Sequence, residues 1–364
     1  MAILAPIAVL LLLIAVHELG HFAAARLQGI RVSRFSIGFG PAILKYQGKI
    51  SEYVVCALPL GGYVAFPDDD PDSTIPPDDP DLLRNRPILD RAIVISAGVI
   101  ANLIFAYFLL VGQAMTIGFQ DISYNSGVVV PQIIEEGDSA AKIAGIEAGD
   151  IILTVGDRNL GNSPQSLETL RQIIQDSPQK PLDLTIERQE EEISLVVVPQ
   201  VDEATGKGKI GVMLAPNGEV VRRKTSNIIE AFTTGAKEYQ RIALLITQGF
   251  WQLISNFSES AEQVAGPVAI VSVGAELARN DLSNLFQFGA LISINLAIIN
   301  ILPLPALDGG QLAFLAVEGL RGKPIPSNVQ NGIMQTGMVL LLGLSVFLIV
   351  RDTVNLAFFQ ELFQ

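Results

Sequence analysis

Four long apolar stretches divide the chain, and each is long enough to form a helix across a lipid bilayer. A helix of about 20 apolar residues spans the hydrocarbon core of a membrane. The hydropathy pattern therefore predicts transmembrane helices at about Ile3–Ala25, Ile93–Met115, Leu285–Leu302 and Ile333–Val350. The first stretch has neither the basic leading segment nor the small-residue cleavage site of a signal peptide, so we expect it to be a membrane span.

The sequence between the first two spans predicts strands and turns. Residues Val32–Phe66 are rich in Gly, Tyr, Val and Phe, and the segments Gly38–Pro41 and Pro59–Gly62 interrupt them. Because Gly and Pro end regular structure, we expect short strands that form a β-hairpin region associated with the membrane. The next segment, Asp68–Asp81, is rich in Pro and Asp and predicts a disordered loop.

After the second span the chain becomes water-soluble, from about Asp121 to Arg223. Alternating segments at 183–186 and 193–198, with a helix near Ser166–Gln175, predict a small α+β domain. Residues 227–257 predict an amphipathic helix that rests on the bilayer surface or enters the membrane in part. The predicted fold is a polytopic α-helical membrane protein with four transmembrane helices, the β-hairpin region and this inserted domain. Three domains are predicted. Residues 1–118 form the first half of the membrane core, and residues 119–224 form the inserted domain. Residues 225–364 form the amphipathic helix and the second half of the core.

The distribution of basic residues predicts the orientation in the membrane. Six arginines flank the loop between the first two spans, and two basic residues lie between the last two spans: Arg26, Arg31, Arg34, Arg84, Arg86, Arg91, Arg321 and Lys323. Positive charge favours the cytoplasmic side, which places residues 27–91 and 321–332 there. The inserted domain and both termini are then expected outside the cytoplasm.

Composition agrees with a membrane protein and excludes several other classes. Hydrophobic residues make up 49% of the chain and charged residues only 17%, with a mean hydropathy of +0.43. The net charge of −13 opposes a nucleic-acid partner. The single cysteine, Cys56, excludes an intramolecular disulfide and a cysteine-rich zinc site.

The two histidines of the chain form an HExxH motif, His17-Glu18-Leu19-Gly20-His21, at the end of the first span. A spacing of four residues places both imidazoles on one face of a helix, where they can share a metal ion. Glu18 can then take a proton from a water molecule at that metal. A histidine pair without a metal is the alternative, but ionisable groups in a membrane are costly and usually functional.

A catalytic zinc site usually has three protein ligands, and no third histidine exists. The third ligand must therefore be a carboxylate or Cys56. Asp308 stands out because it follows the third span directly, lies in apolar sequence, and matches the expected depth of the HExxH motif. The alternative role for Asp308 is to cap a following helix, Gly310–Leu320.

Asp308 belongs to a second motif, NxxPxPxLDG, formed by Asn300, Pro303, Pro305, Leu307, Asp308 and Gly309. Paired with HExxH, this motif resembles the site-2 protease family, in its bacterial and plastid branch that includes the regulator of sigma-E protease. The resemblance covers nearly the whole chain, with further matches at 34–40, 59–64 and 266–270. Two departures are Val99, where relatives often have Pro, and Gln311, where many have His.

The resemblance implies an intramembrane metalloprotease with one zinc ion per chain, held by His17, His21 and Asp308, with Glu18 as the base. Such enzymes cut membrane-protein substrates within or near transmembrane segments, after another protease has trimmed them. The resemblance also implies that Asn300 and Asn295 hold the substrate, although interhelical hydrogen bonds are an alternative role. We further expect backbone near Pro303, Pro305, Gly61 and Gly62 to pair with an unwound substrate strand.

The segment Asp138–Leu153 resembles the bacterial PDZ pattern, so the inserted domain is expected to be a PDZ domain. Such a domain adds a peptide strand to a sheet edge, here expected near Gly127–Val130. The alternative is a spacer or size filter that binds no peptide. The expected location is the bacterial cytoplasmic membrane, or a plastid membrane. The PDZ domain is expected outside the cytoplasm, and the active site is expected towards the cytoplasmic side of the membrane. The rival functions are a catalytically inactive membrane adaptor with a PDZ module and, more weakly, a metal transporter.

Overall fold

A computed structural model describes residues 2–70, 73–134, 139–202, 205–257 and 264–355. The chain forms two compact units. The core unit comprises Met1–Gly118 and Lys224–Gln364, and the inserted domain comprises Phe119–Arg223. The helices are α1 (Leu4–Leu27), α2 (Ile88–Thr116), α3 (Ala140–Ala144), α4 (Gln165–Gln175), α5 (Ile228–Ser255), α6 (Pro267–Asn280), α7 (Asn284–Ile301), α8 (Asp308–Arg321) and α9 (Ser327–Asn355). The strands are β1 (Arg34–Gln47), β2 (Glu52–Ala65), β3 (Phe119–Ile133), β4 (Ile151–Val155), β5 (Arg158–Asn159), β6 (Leu182–Arg188), β7 (Glu191–Val197), β8 (Gln200–Val201), β9 (Gly208–Lys209) and β10 (Val212–Arg223).

Among the described residues, α1, α2, α7 and α9 are long and apolar enough to cross a membrane. Each coincides with one predicted span, so the prediction of four apolar helices is confirmed. Helices α2 and α9 extend beyond the predicted spans by a turn or more, because hydropathy detects only the apolar part of a helix. Helix α6, which follows Gly266, was not predicted. The predicted amphipathic helix is α5, whose first turn is capped by Asn227 through a 2.8 Å hydrogen bond from the Glu230 backbone N–H.

The β-hairpin region consists of two strands of 14 residues each instead of several short ones. Residues 34–37 of β1 pair in parallel with 52–55 and antiparallel with 62–65, so both ends of β2 flank the start of β1. The end of β1 turns back and pairs with 52–56. The predicted interruptions at Gly38–Pro41 and Pro59–Gly62 are the places where these long strands bend and change partner.

The acidic loop was predicted to be disordered, but most of its described residues are held in place. Arg31 lies 3.2 Å from Asp79, and Arg86 lies 3.1 Å from Asp81. The Asn85 side chain donates to the Pro77 and Asp79 carbonyls, each at 2.8 Å. Low hydrophobicity predicted disorder, and the pairing of acids with arginines distant in sequence was not visible in local composition. Residues 71–72 of this loop lie outside the described residues.

The inserted domain is an α+β unit with its own apolar core. Its main sheet has the strand order β10-β3-β4-β6-β7, and β5 pairs with β4. Arg188 on β6 binds the buried Asp150 with two hydrogen bonds of 2.7 and 2.8 Å. Burial alone would raise the pKa of the Asp150 carboxyl, but this arginine and the Glu147 backbone N–H lower it. The ion pair therefore holds the start of β4 against β6.

The position of β3 corrects the predicted peptide-binding edge. Val128 and Val129 pair with Pro216 and Ala215 of β10 on one side and with Ile152 and Ile151 of β4 on the other. Gly127–Val130 is therefore inside the sheet and cannot accept a further strand. The prediction was wrong because strand order depends on long-range pairing that local sequence does not specify. Asp138, the first residue of the PDZ-like pattern, lies outside the described residues.

Candidate metal centre

His17 and His21 lie one turn apart on α1 and face the same point. Their Nε2 atoms are 3.2 Å apart, and their ring planes are nearly perpendicular. Both side chains are about 12% exposed. The predicted shared face of the two imidazoles is thus present in the structure.

Asp308 Oδ2 completes a cluster with the two imidazoles. It lies 3.2 Å from His17 Nε2 and 3.4 Å from His21 Nε2. In a tetrahedral zinc site with bonds of about 2.0–2.1 Å, ligand atoms lie about 3.3–3.4 Å from each other. Asp308 Oδ2 is also buried without a hydrogen-bond partner in the described structure, which is costly unless a cation binds there. The spacing and the unpartnered oxygen both fit a zinc ion.

The structure also decides between the alternatives for Asp308 and Cys56. Asp308 is the first residue of α8 instead of its N-cap, since Leu307 occupies the cap position and no side-chain cap hydrogen bond forms. The helix-capping role is therefore wrong. Cys56 is buried in β2, where its Sγ lies 3.5 Å from Ser36 Oγ. Among the described residues, the group that could hold a metal ion consists of His17, His21 and Asp308.

A tight turn between α7 and α8 positions Asp308. Helix α7 ends at Ile301, just before the two prolines that were predicted to interrupt the span. A Cβ on Gly309 would lie 2.1 Å from the Leu302 carbonyl oxygen, and one on Gly310 would lie 2.3 Å from the Leu304 carbonyl oxygen. Only glycine permits this close return of the chain. The glycines that follow Asp308 are therefore required by the shape of this turn, in addition to the metal-binding role predicted for Asp308.

An ion pair holds α8 against α2. Arg91 donates to both carboxylate oxygens of Glu318, at 3.1 and 2.5 Å, and both side chains are largely buried. Such a bidentate pair fixes the relative orientation of two elements. The helix that starts with Asp308 is thus anchored near its other end to the start of α2.

Helix α2 forms the wall behind the two imidazoles. The Val94 carbonyl oxygen accepts a 2.8 Å hydrogen bond from His21 Nδ1. A Cβ on Gly98 would lie 2.3 Å from His21 Nε2 and 2.8 Å from His17 Cε1. The Asn102 amide lies 3.5 Å from His17 Nδ1. These three residues recur every four positions and therefore share one face of the helix.

The positions of Val94, Gly98 and Asn102 beside the two imidazoles were missed in the sequence. One signal was available, since a glycine and an asparagine at helical spacing inside an apolar span are unusual.

Glu18 lies between the metal centre and the β-hairpin region. A Cβ on Gly62 would lie 2.8 Å from Glu18 Cγ and 2.9 Å from the Ser36 carbonyl oxygen. Residues 62–65 pair with 34–37 on one side, and no other described strand pairs with them. This strand is thus next to Glu18 at Gly62, and the substrate-binding role expected of Gly62 stays a prediction. Neighbouring Gly61 has a φ of 95°, and a Cβ there would lie 2.4 Å from Phe39.

The remaining predicted substrate residues lie on α7 and the turn after it. The half-buried side chains of Asn295 and Asn300 make no hydrogen bond to another described residue. The interhelical hydrogen bonds considered for them are therefore absent from the described structure. Pro303 and Pro305 belong to the irregular segment between α7 and α8, and a Cβ on Gly337 of α9 would lie 2.3 Å from Pro305. This segment is packed against α9.

Sequence comparison supports the chemistry that the cluster allows. The chain matches the model of peptidase family M50 over residues 5–344. A protein from Synechocystis sp. that carries a provisional zinc metalloprotease name is 63% identical over 361 residues, covering 99% of this chain and 97% of the relative. A protein of Nostoc sp. with the same kind of name is 58% identical over the full length of both chains.

A third relative is the membrane metalloprotease ARASP, chloroplastic, of Arabidopsis thaliana. It is 46% identical over 363 residues, which cover 99% of this chain and 80% of the relative. The family match and these identities agree with the four apolar helices and the zinc-type cluster. The chain is a member of peptidase family M50, the site-2 proteases, and is a membrane protein of a family of zinc metalloproteases.

Proposed function

We propose that the protein is an intramembrane zinc endopeptidase that cuts membrane proteins within or near their transmembrane segments, after another protease has trimmed them. The convergence of His17, His21 and Asp308 on or beside apolar helices carries this proposal. Ionisable groups in such an environment are costly and are retained for function. A soluble substrate would not require them to be there.

In the proposed mechanism, His17, His21 and Asp308 would hold zinc. Zinc, when bound, supplies a Lewis acid that acidifies water and polarises the peptide carbonyl. Glu18 takes the proton of the attacking water through its carboxylate and then gives that proton to the nitrogen of the leaving amine. The neighbouring Gly62 leaves room for the Glu18 side chain because it has no Cβ.

A helical substrate must unwind before its carbonyl can be attacked, since its backbone groups are bonded internally. The free edge of residues 62–65 can receive the unwound segment as an added strand beside Glu18. The Asn295 and Asn300 amides are free to bond the substrate backbone in the described structure. These contacts would replace the hydrogen bonds that the substrate loses on unwinding.

Substitution of Asp308 tests the metal centre and the activity together. Asp308→Ala is expected to lower bound zinc from about one equivalent to nearly none and to abolish cleavage, because two imidazoles alone hold zinc weakly. Zinc is measured by elemental analysis of the detergent-purified protein, and cleavage with a model transmembrane substrate. Asp352→Ala is the matched control, since Asp352 is also a buried core aspartate but caps α6 through the Ala269 backbone N–H. Full zinc and full activity in Asp308→Ala would exclude Asp308 as a ligand, and zinc without any cleavage in the unaltered chain would favour the inactive adaptor.

We further propose that the inserted domain is a PDZ domain that binds a peptide in a groove between β10 and α4. The groove has a volume of about 410 Å³ and is lined by Ile134, Arg171, Ile174, Gly211, Val212 and Leu214, among others. At Val212 and Met213, β10 pairs with β3 on one side only in the described structure, so this edge, instead of Gly127–Val130, can accept a strand.

A peptide with an apolar C-terminal residue and a free carboxylate is expected to bind this groove. Arg171→Glu should weaken binding by placing negative charge at the groove, whereas Arg158→Glu, an exposed change on β5 outside it, should not. Fluorescence anisotropy of a labelled peptide with the full-length protein measures both. Equal effects of the two variants, or no binding at all, would favour the spacer or size-filter role.

We infer that the arginine-rich loops face the cytoplasm of a bacterial cell, with the inserted domain outside and the active site towards the cytoplasmic side of the membrane. A plastid membrane is the alternative location. A topology reporter inserted at Asp78 is then expected to indicate a cytoplasmic location. A reporter inserted at Gly161 is expected to indicate a location outside the cytoplasm. The reverse pattern would overturn the orientation.

A further inference from the structure

We propose that the Asn102 side chain is a positioning residue for the metal centre, and that its Oδ1 accepts a hydrogen bond from His17 Nδ1. This inference rests on the proposed function, because it assumes that His17 is a zinc ligand. It assigns Asn102 an acceptor role that orients one imidazole and fixes its tautomer.

The first observation concerns the two nitrogens of His17. Its Nε2 faces Asp308 Oδ2 and His21 Nε2, so this nitrogen points into the metal centre. When Nε2 of a neutral imidazole binds a metal, the proton is on Nδ1, which then needs an acceptor. The polar side-chain atom that faces His17 Nδ1 is Asn102 Nδ2, at 3.5 Å. An amide nitrogen is itself a donor, so two donors would face each other.

The second observation concerns the other end of the same amide. Asn102 is fully buried, and its Oδ1 has no hydrogen-bond partner in the described structure. An unsatisfied buried acceptor costs about 1–3 kcal/mol. The oxygen and nitrogen of an amide have nearly the same shape, and their assignment follows from the hydrogen-bond network. Rotating the amide by half a turn gives His17 Nδ1–H an acceptor and gives Asn102 Oδ1 a donor.

The third observation is that His21 already has the equivalent arrangement. His21 Nδ1 donates to the Val94 carbonyl oxygen at 2.8 Å, from the same face of α2 and two turns before Asn102. Both imidazoles are thus supported from behind by one helix, once by a backbone carbonyl and once by a side chain. Ser293 Oγ on α7 donates to the Asn102 carbonyl oxygen at 2.8 Å, which fixes Asn102 from the other side.

Two substitutions of the same residue separate an acceptor role from a packing role. Asn102→Leu keeps a similar volume but removes the acceptor, and zinc affinity is expected to fall about 10–100-fold. Asn102→Asp keeps an acceptor oxygen and loses the amide donor, so its zinc affinity is expected to stay near that of the unaltered protein. Zinc affinity is measured by competition with a chromophoric chelator in the detergent-purified full-length protein.

The matched control is Gln113→Leu. Gln113 is a buried amide on the same helix whose Oε1 also has no partner among the described residues, but it lies three turns from Asn102. Losing this amide disturbs α2 to a similar degree and should leave zinc affinity unchanged. The visible spectrum of the cobalt-substituted protein gives a second measurement. The spectrum should shift in Asn102→Leu and remain unchanged in Gln113→Leu, because only Asn102→Leu removes the hydrogen bond that orients the His17 imidazole.

Each outcome decides the proposal. Equal zinc affinity and equal cobalt spectra in Asn102→Leu and the unaltered protein would overturn it. A loss in Asn102→Asp as large as that in Asn102→Leu would overturn it as well, since the amide nitrogen would then be the important atom. If Asn102→Leu does not fold, Asn102→Ala, which also lacks the acceptor, takes its place in the same comparison with Asn102→Asp. Failure of the proposed metal centre itself is recognised separately, by full zinc in Asp308→Ala.

Discussion

Glu18→Gln is expected to retain about one zinc ion per chain and to lose about 10²–10⁴-fold in turnover. Glutamine has nearly the shape of glutamate, so it fits the space that Gly62 leaves beside Glu18 Cγ. Its amide cannot accept the proton of the attacking water, and it is not among the three ligands. Zinc binding and chemistry should therefore separate in this variant. Elemental analysis and a cleavage assay on the same preparation give both quantities.

The control for this experiment is Glu276→Gln, which makes the same chemical change at an exposed position on α6. It should keep both zinc and turnover. A Glu18→Gln protein that cuts the substrate at the rate of the control would exclude Glu18 as the base. Loss of zinc in Glu18→Gln would show instead that Glu18 supports the metal centre.

Gly98→Ala is expected to reduce zinc affinity strongly, although it adds only one methyl group and Gly98 is not a proposed zinc ligand. The new Cβ would lie 2.3 Å from His21 Nε2 and 2.8 Å from His17 Cε1, well inside contact distance. One imidazole must move, and His21 is held in place by its bond to the Val94 carbonyl. A displaced ligand no longer matches the tetrahedral spacing, so we expect a loss of at least the 10–100-fold seen when outer-shell support is removed.

Gly112→Ala is the matched control, because it makes the same change on the same helix. The nearest atom to a Cβ there is Phe286 Cε1, at an ordinary contact distance of 3.8 Å. Isothermal titration of zinc into the metal-free proteins compares the two. Equal affinities would mean that the α1–α2 spacing adjusts freely and that Gly98 does not shape the metal centre.

The spans could be predicted because a membrane helix needs a long apolar run, and the chain has four such runs. The bends of the β-hairpin region were also predictable, since Gly38–Pro41 and Pro59–Gly62 break regular pairing. The order of strands in the inserted domain could not be predicted, because the pairing of β3 with β10 joins distant parts of the chain. Helix α6 was missed because its polar and apolar residues give neither a span nor a clear surface pattern.

The cluster of His17, His21 and Asp308 was predictable because histidine is so rare in this chain that the HExxH motif was conspicuous, and a third candidate ligand had to be sought elsewhere. The supporting residues were harder to identify. Val94 acts through its backbone carbonyl, which any residue could provide, and Gly98 acts by lacking a side chain. Their roles follow only from how α1 crosses α2, where a Cβ on Gly20 would lie 2.4 Å from the Ala97 carbonyl oxygen.

The three proposed ligand side chains come from opposite ends of the polypeptide, two from α1 and one from the start of α8. During synthesis, α1 and α2 enter the membrane while Asp308 has not yet been translated. A nascent chain therefore has the base and two imidazoles but only part of a zinc site. Completion of the centre must wait for the inserted domain and α7 to be made. The order of the sequence thus delays completion of the proposed zinc site, and with it the proposed hydrolytic activity, until the chain is nearly complete.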